Sequence, residues 1–137
     1  MVSVENLLNT LKKNNITFFS GVPDSILKHL STSFNKLNSK KHKLAVNEGS
    51  AVAMGIGHYL ETKKIPCVYM QNSGLGNAIN PLISIAHQKV YSIPMVLLIG
   101  WRGAPGETDE PQHMVKGKIT KKLLELLNIK FCVLDKE

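Results

Sequence analysis

The sequence predicts an α/β domain, doubly wound about a mostly parallel sheet with helices on both faces, and three observations predict it. Short β-branched or aromatic runs alternate along the chain with segments of helical period. One of those runs, PMVLLI at 94–99, is apolar throughout, as a strand covered on both faces must be. Four successive runs end in polar or glycine-rich segments, GVPDS, NEG, QNSGLGN and GWRGAPGETDEPQH, and open parallel sheets keep their ligand loops at the carboxyl ends of strands.

The elements follow in order. A first helix starts near Ser3 and sets Leu7, Leu8 and Leu11 on one face. TFFS (17–20) is the first strand and runs into the turn 21–25, where Asp24 or Ser25 can cap a helix whose apolar positions Ile26, Leu27, Leu30, Phe34 and Leu37 keep the 3.6-residue period. Strand two is 42–46, and helix three runs from near Glu48 to near Glu61. Strand three, 65–70, leads into QNSGLGNAINP and a fourth helix, in which Pro81 is tolerable only in the first turn. After strand four, 94–99, comes a long loop from Gly100 to about Lys116. A last helix, about 118–127, and a last strand, 130–134, close the chain. A doubly wound domain normally covers such a strand with another helix, so the end at Glu137 reads as a truncation or a junction. The whole chain, 1–137, reads as one domain without internal repeats.

Composition narrows the function class. No apolar run approaches the roughly 20 residues a membrane helix needs, and the N-terminus lacks the charged and apolar regions of a secretory signal. A cytoplasmic protein is expected. Cys67 and Cys132 lie in apolar runs, IPCVYM and KFCVL, and are expected to be buried, reduced thiols with no metal cluster. The net charge of +7 is spread over lysine pairs at 12–13, 40–41, 63–64 and 121–122, without an arginine cluster or aromatic interleaving. A solvated surface is the leading reading, with a nucleic-acid groove kept as the lesser alternative.

Standard cofactor motifs do not fit. Gly74-Leu75-Gly76 follows a strand and precedes a helix, but Ile79 stands where a dinucleotide fingerprint needs its third glycine, and the next strand ends in Leu97-Leu98-Ile99 without an acid. Ser73 lacks a G-x-S-x-G elbow. Each polar strand end, taken singly, is what any turn looks like. NEGSAVAMGIG (47–57) asks for more. Asn47 as N-cap and Glu48 as a first-turn acid, interacting with the helix dipole by about 0.3–1 kcal/mol, are ordinary. The small residues that follow, Gly49, Ser50, Ala51, Ala53, Gly55 and Gly57, are not, because a helical glycine costs roughly 0.5–1 kcal/mol relative to alanine. Something is expected to approach closely, with space cleared around the carboxylate.

GVPDS (21–25), NEGSAVAMGIGHYL (47–60), VYMQNSGLGNAINPL (68–82) and YSIPMVLLIGWRGAPGETDEPQH (91–113) together resemble the pyrimidine-binding half of the phosphonopyruvate decarboxylase group of thiamine-diphosphate enzymes, with sulfopyruvate decarboxylase a near relative. The resemblance runs in order over nearly the whole chain. It implies that Glu48 hydrogen-bonds the pyrimidine ring of thiamine diphosphate and favours the imino tautomer that deprotonates the thiazolium carbon. It implies decarboxylation of a 2-oxo acid, 3-phosphonopyruvate giving phosphonoacetaldehyde and CO2. Asp24 and His113 are then candidates for proton handling and substrate contact. Gln71, Asn72, Gly74 and Asn77 are candidate cofactor contacts, and Arg102 and Gln112 candidate substrate contacts. Arg102 suits a phosphonate because a guanidinium binds oxyanions bidentately, although a solvated loop arginine reads equally well. Trp101 reads as a loop anchor, and His29, His42, His58 and His87 as structural.

In this family the diphosphate and a divalent metal, Mg2+, are bound by a second domain through a Gly-Asp-Gly segment, which is absent from this sequence. The resemblance therefore implies a diphosphate-binding partner domain or subunit, a homo- or hetero-oligomer, and no turnover by this chain alone. The alternatives are a sulfopyruvate decarboxylase alpha subunit and a non-catalytic thiamine-diphosphate-binding remnant.

Overall fold

The computed structural model describes residues 3–134. Its elements are α1 (Val4–Lys13), β1 (Phe19–Gly21), α2 (Lys28–Phe34), β2 (His42–Leu44), α3 (Glu48–Thr62), β3 (Cys67–Gln71), α4 (Leu75–Pro81), β4 (Val96–Gly100) and α5 (Pro111–Leu126). A 3-10 turn, Asn72–Gly74, precedes α4, and a π-helical turn, Leu82–Ala86, follows it. The four strands form one sheet in the order β2-β1-β3-β4, and every pairing is parallel.

Alternation along the strands explains the double winding. Cys67 and Tyr69 of β3 point to one side, with Phe19 of β1, and pack under Leu11, Leu30 and Phe34 of α1 and α2. Val68 and Met70 point to the other, against Ala51, Val52 and Ile56 of α3, Ala78 of α4 and Leu124 of α5. β4 divides likewise, Val96 and Leu98 to the first layer and Leu97 and Ile99 to the second. One sheet thus separates two cores. Burial pushes the Cys67 thiol up to about 12, where it is inert. Buried His42 shares a 2.8 Å hydrogen bond with the Tyr69 hydroxyl, and His58 stacks on Phe18 at 4.2 Å. All four lysine pairs are exposed. Among the described residues, no helix is long and apolar enough to cross a membrane.

Several local expectations are corrected. Neither Asp24 nor Ser25 caps α2, which starts only at Lys28 with no side-chain cap. Asp24 instead turns its Oδ1 back to accept from the Ile26 N–H at 3.3 Å. Ile26 falls outside the helix and is half exposed. Pro81 is the last residue of α4 rather than a first-turn residue, and the helix widens to π geometry right after it. α5 begins seven residues before Lys118, because Pro111 takes the first turn, where its missing N–H is not needed.

The segment 130–134 is exposed and forms no strand. It borders the groove along β4 without joining the ladder, and a strand exists only through its partner. Cys132 is consequently exposed rather than buried.

Candidate active site at the carboxyl ends of the strands

All the candidate residues except Gln112 and His113 sit on, or directly after, the carboxyl ends of β1 to β4 or in the first turns of the helices that follow. Glu48 is the first residue of α3. Its backbone is fixed by Asn47, whose Oδ1 accepts from the Ser50 N–H at 2.8 Å. Its half-buried side chain reaches across to α4, where Asn77 Nδ2 donates to Oε2 at 2.7 Å. Gly74 makes this reach possible: a Cβ there would collide with Glu48 Cγ, Cδ and Oε1. The small residues of α3 serve a different end from the one expected. Gly49 admits the backbone carbonyl of Asn77, 2.8 Å from where its Cβ would be, and Gly55 admits Pro66 and Val68 of the β3 segment. Gly57 faces open space. The space beside the carboxylate is cleared by α4 and its leading turn, not by α3.

Asp24 lies over the end of β4. A Cβ on Gly100 would collide with its Oδ2. The residue is 9 % exposed and Oδ2 is buried without a hydrogen-bond partner. Burial raises its carboxyl above the ordinary value, against the opposing pull of nearby backbone N–H groups and of Arg102. A buried acid with an unmatched oxygen has its protonated form favoured, as a proton donor requires.

The third group is built on the loop after β4. Arg102 holds Asp109 with two bonds, Nε to Oδ2 at 3.0 Å and Nη2 to Oδ1 at 3.3 Å. His113 Nδ1 meets Asp109 Oδ1 at 2.9 Å. The Arg102 guanidinium first, and then His113 and the Glu110 N–H, hold the Asp109 carboxyl well below the usual carboxylate range. Arg102 is therefore engaged within the chain, and an incoming anion has to compete with Asp109 for it. Asn72 ties this loop to β3. It is 5 % exposed, donates to the Arg102 carbonyl at 3.0 Å and to Thr120 Oγ1 at 2.9 Å, and accepts from the Arg102 N–H at 3.2 Å. Its amide is consumed by these bonds. Gln71 Nε2 donates to Ser73 Oγ at 2.7 Å, and Gln112 is exposed on α5. Trp101 anchors the loop, donating to the Gly117 carbonyl at 2.9 Å with the Lys121 ammonium 4.8 Å from its ring centroid.

Glu48, Gly74 and Asn77 are thus brought together, and so are Arg102, Asn72 and His113. The residue that sequence reasoning missed is Asp109. The signal available for it was its place four residues before His113.

The arrangement fits the pyrimidine end of thiamine diphosphate. Glu48 Oε2 is pinned by Asn77, and Oε1 has no hydrogen-bond partner among the described residues. Asp24 Oδ2 supplies a second unmatched oxygen on the same rim. Among the described residues no group of three or more His, Cys, Asp or Glu side chains is placed to hold a metal ion.

Comparison with known proteins gives the same frame. A phosphonopyruvate decarboxylase from Streptomyces hygroscopicus is 37% identical over 134 residues, which is 98% of this chain and 33% of that protein. The chain thus spans about a third of the length of the phosphonopyruvate decarboxylases it matches. The alpha subunit of sulfopyruvate decarboxylase from Methanocaldococcus jannaschii is 35% identical over 123 residues, 90% of this chain and 70% of that subunit. The crystal structure of benzoylformate decarboxylase from Polynucleobacter necessarius superposes with a TM-score of 0.61 at 28% identity, over 74% of this chain and 19% of that one. The family described as thiamine pyrophosphate enzyme, N-terminal TPP binding domain, matches residues 1–124. With the parallel sheet and a glutamate at the mouth of α3, the match shows that this chain belongs to the N-terminal TPP-binding domain family of the thiamine pyrophosphate enzymes.

Proposed function

We propose that the chain is the pyrimidine-binding half of a decarboxylase that converts 3-phosphonopyruvate to phosphonoacetaldehyde and CO2. The observation that carries this is Glu48 itself, held at Oε2 by Asn77 and given room by Gly74. Thiamine diphosphate supplies, when bound, the electron sink that a 2-oxo acid needs to lose CO2. Glu48 shares a proton between Oε1 and the ring nitrogen, a task glutamine can mimic in shape but not in proton exchange. Asp24 and His113 manage the proton that replaces the departing carboxylate, and the burial of Asp24 favours the protonated form it needs. Gln112 and Arg102 face the substrate side. Arg102 can take the anionic end only by giving up part of its hold on Asp109. The diphosphate and Mg2+ are held by a diphosphate-binding domain of another chain or segment, in a homo- or hetero-oligomer.

A second reading, an alpha subunit acting on sulfopyruvate, is favoured by coverage: the chain matches 70% and 76% of two sulfopyruvate decarboxylase alpha subunits, against 33% of the phosphonopyruvate enzymes. Measuring CO2 release from phosphonopyruvate and from sulfopyruvate, with thiamine diphosphate and Mg2+, separates the two. It is run with this chain alone, with its diphosphate-binding complement, and with Glu48→Gln. Turnover that needs the complement and falls about 10²–10⁴-fold in Glu48→Gln supports the proposal, that range being the ordinary contribution of a proton-transfer group. No turnover of either acid with a folded complement leaves a non-catalytic thiamine-diphosphate-binding module.

A further inference from the structure

We propose that Asp109 is the positioning residue for His113: it fixes the imidazole as its Nδ1–H tautomer and leaves Nε2 as the free acceptor. The proposal rests on the reading of His113 as a proton-handling side chain.

The geometry carries it. Asp109 stands four residues before His113, just ahead of α5, and its Oδ1 lies 2.9 Å from His113 Nδ1. The same carboxylate takes two bonds from Arg102 and one from the Glu110 N–H at 2.8 Å, so both oxygens are held and neither can rotate away. An ionised carboxylate accepts and cannot donate. A hydrogen bond at that distance therefore requires the proton to sit on Nδ1, and in the neutral ring Nε2 then carries the lone pair. In the other tautomer two lone pairs would face each other at 2.9 Å.

The backbone beneath is equally fixed. Gly103, at φ +67, passes so close under the His113 carbonyl that a Cβ would collide with it, and Gly117 one turn on lies against the Gly103 carbonyl. The His113 side chain is 15% exposed, so its main chain is set by packing and its ring plane by Asp109. Arg102 completes the device by holding the carboxylate, a use of its charge separate from any contact with substrate.

The test is read first on the full chain without cofactor. In 15N-labelled protein, two-bond 15N–1H spectra of the neutral ring, assigned by comparison with His113→Gln, report which ring nitrogen carries the proton. The wild type is expected to show Nδ1 protonated. Asp109→Ala is expected to shift the ring toward the Nε2–H form, whereas Arg102→Met, which removes the brace but keeps the carboxylate, retains Nδ1–H. An Nε2–H ring in the wild type, or no change in a folded Asp109→Ala, overturns the proposal. With the complementary half present, Asp109→Ala is expected to lower kcat by about 10–100-fold with little change in KM, the usual scale for an orienting partner. The double variant with His113→Ala is then no slower than His113→Ala alone, and independent, multiplying losses overturn the assignment. Because the tautomer is read without turnover, its failure is distinguishable from failure of the decarboxylase reading.

Discussion

Replacing Gly74 by alanine separates folding from function in one substitution. Gly74 has φ −76 and ψ −12, ordinary helical values, so the backbone accepts a side chain and gains about 0.5–1 kcal/mol in the helical turn. The new Cβ would occupy the space of Glu48 Cγ, Cδ and Oε1. All three belong to a flexible side chain, which can swing toward solvent instead of straining the fold. That swing breaks the 2.7 Å bond from Asn77, which is worth about 0.5–1.5 kcal/mol where water can replace it. The two changes nearly cancel, and urea unfolding should find Gly74→Ala within about 1 kcal/mol of the wild type. The carboxylate, however, no longer lies where a ring nitrogen needs it. Losing one charged hydrogen bond of about 1.5–3 kcal/mol corresponds to roughly a 10–150-fold fall in turnover by the assembled enzyme. Wild-type turnover together with wild-type thiamine diphosphate affinity would refute the reasoning. So would a stability loss above about 3 kcal/mol, since it would mean that Glu48 cannot move aside.

Two further predictions concern the polar groups behind the site. Because the Asp24 carboxyl is raised above its unfolded value of 3.8, its contribution to stability is fully present below that pH and is lost as pH rises through the folded value. Asp24→Asn should abolish this component, leaving a variant at least as stable as the wild type at pH 7 but slower in CO2 release, as denaturation at several pH values and turnover together would reveal. Asn72→Ala strips three hydrogen bonds from a buried position, leaving the Arg102 carbonyl without this donor and the Arg102 N–H with the Gly100 carbonyl alone, and it should cost about 2–4 kcal/mol in a urea titration.

The strands were the legible part of this fold. Runs such as CVYMQ and VLLIG combine β-branched or aromatic residues with apolar continuity, and helical periodicity placed α1 and α3 correctly. Position after a strand, with the small residues behind it, drew attention to Glu48, whereas Gly74 and Asn77 were named only through the family resemblance. The features that escaped depend on partners distant in sequence. α5 was read as starting at residue 118 because prolines and glycines before it looked like loop. Gly117 is in fact helical, and it is small because the Gly103 backbone crosses there. KFCVL has the composition of a strand, but composition supplies no neighbouring ladder, and Cys132 stayed exposed with it. Arg102 looked free because nothing local marks Asp109, seven residues on, as its counter-ion. The inward direction of Asn72 was likewise invisible, since a polar residue after a strand reads as a turn.

Asn72 also acts as a stand-in peptide group. The ladder between β3 and β4 ends at Gln71 and Gly100, where the chain turns away into a helix. Beyond that point the side-chain amide offers Arg102 one donor and one acceptor, as the main chain of another strand residue would. The sheet is thereby prolonged by one step after its backbone has left it. Aspartate lacks the donor, leucine lacks both groups, and glutamine is one methylene too long, so asparagine alone meets the requirement. This position is a sharper criterion than the surrounding glycines for deciding whether another sequence preserves the geometry of this rim.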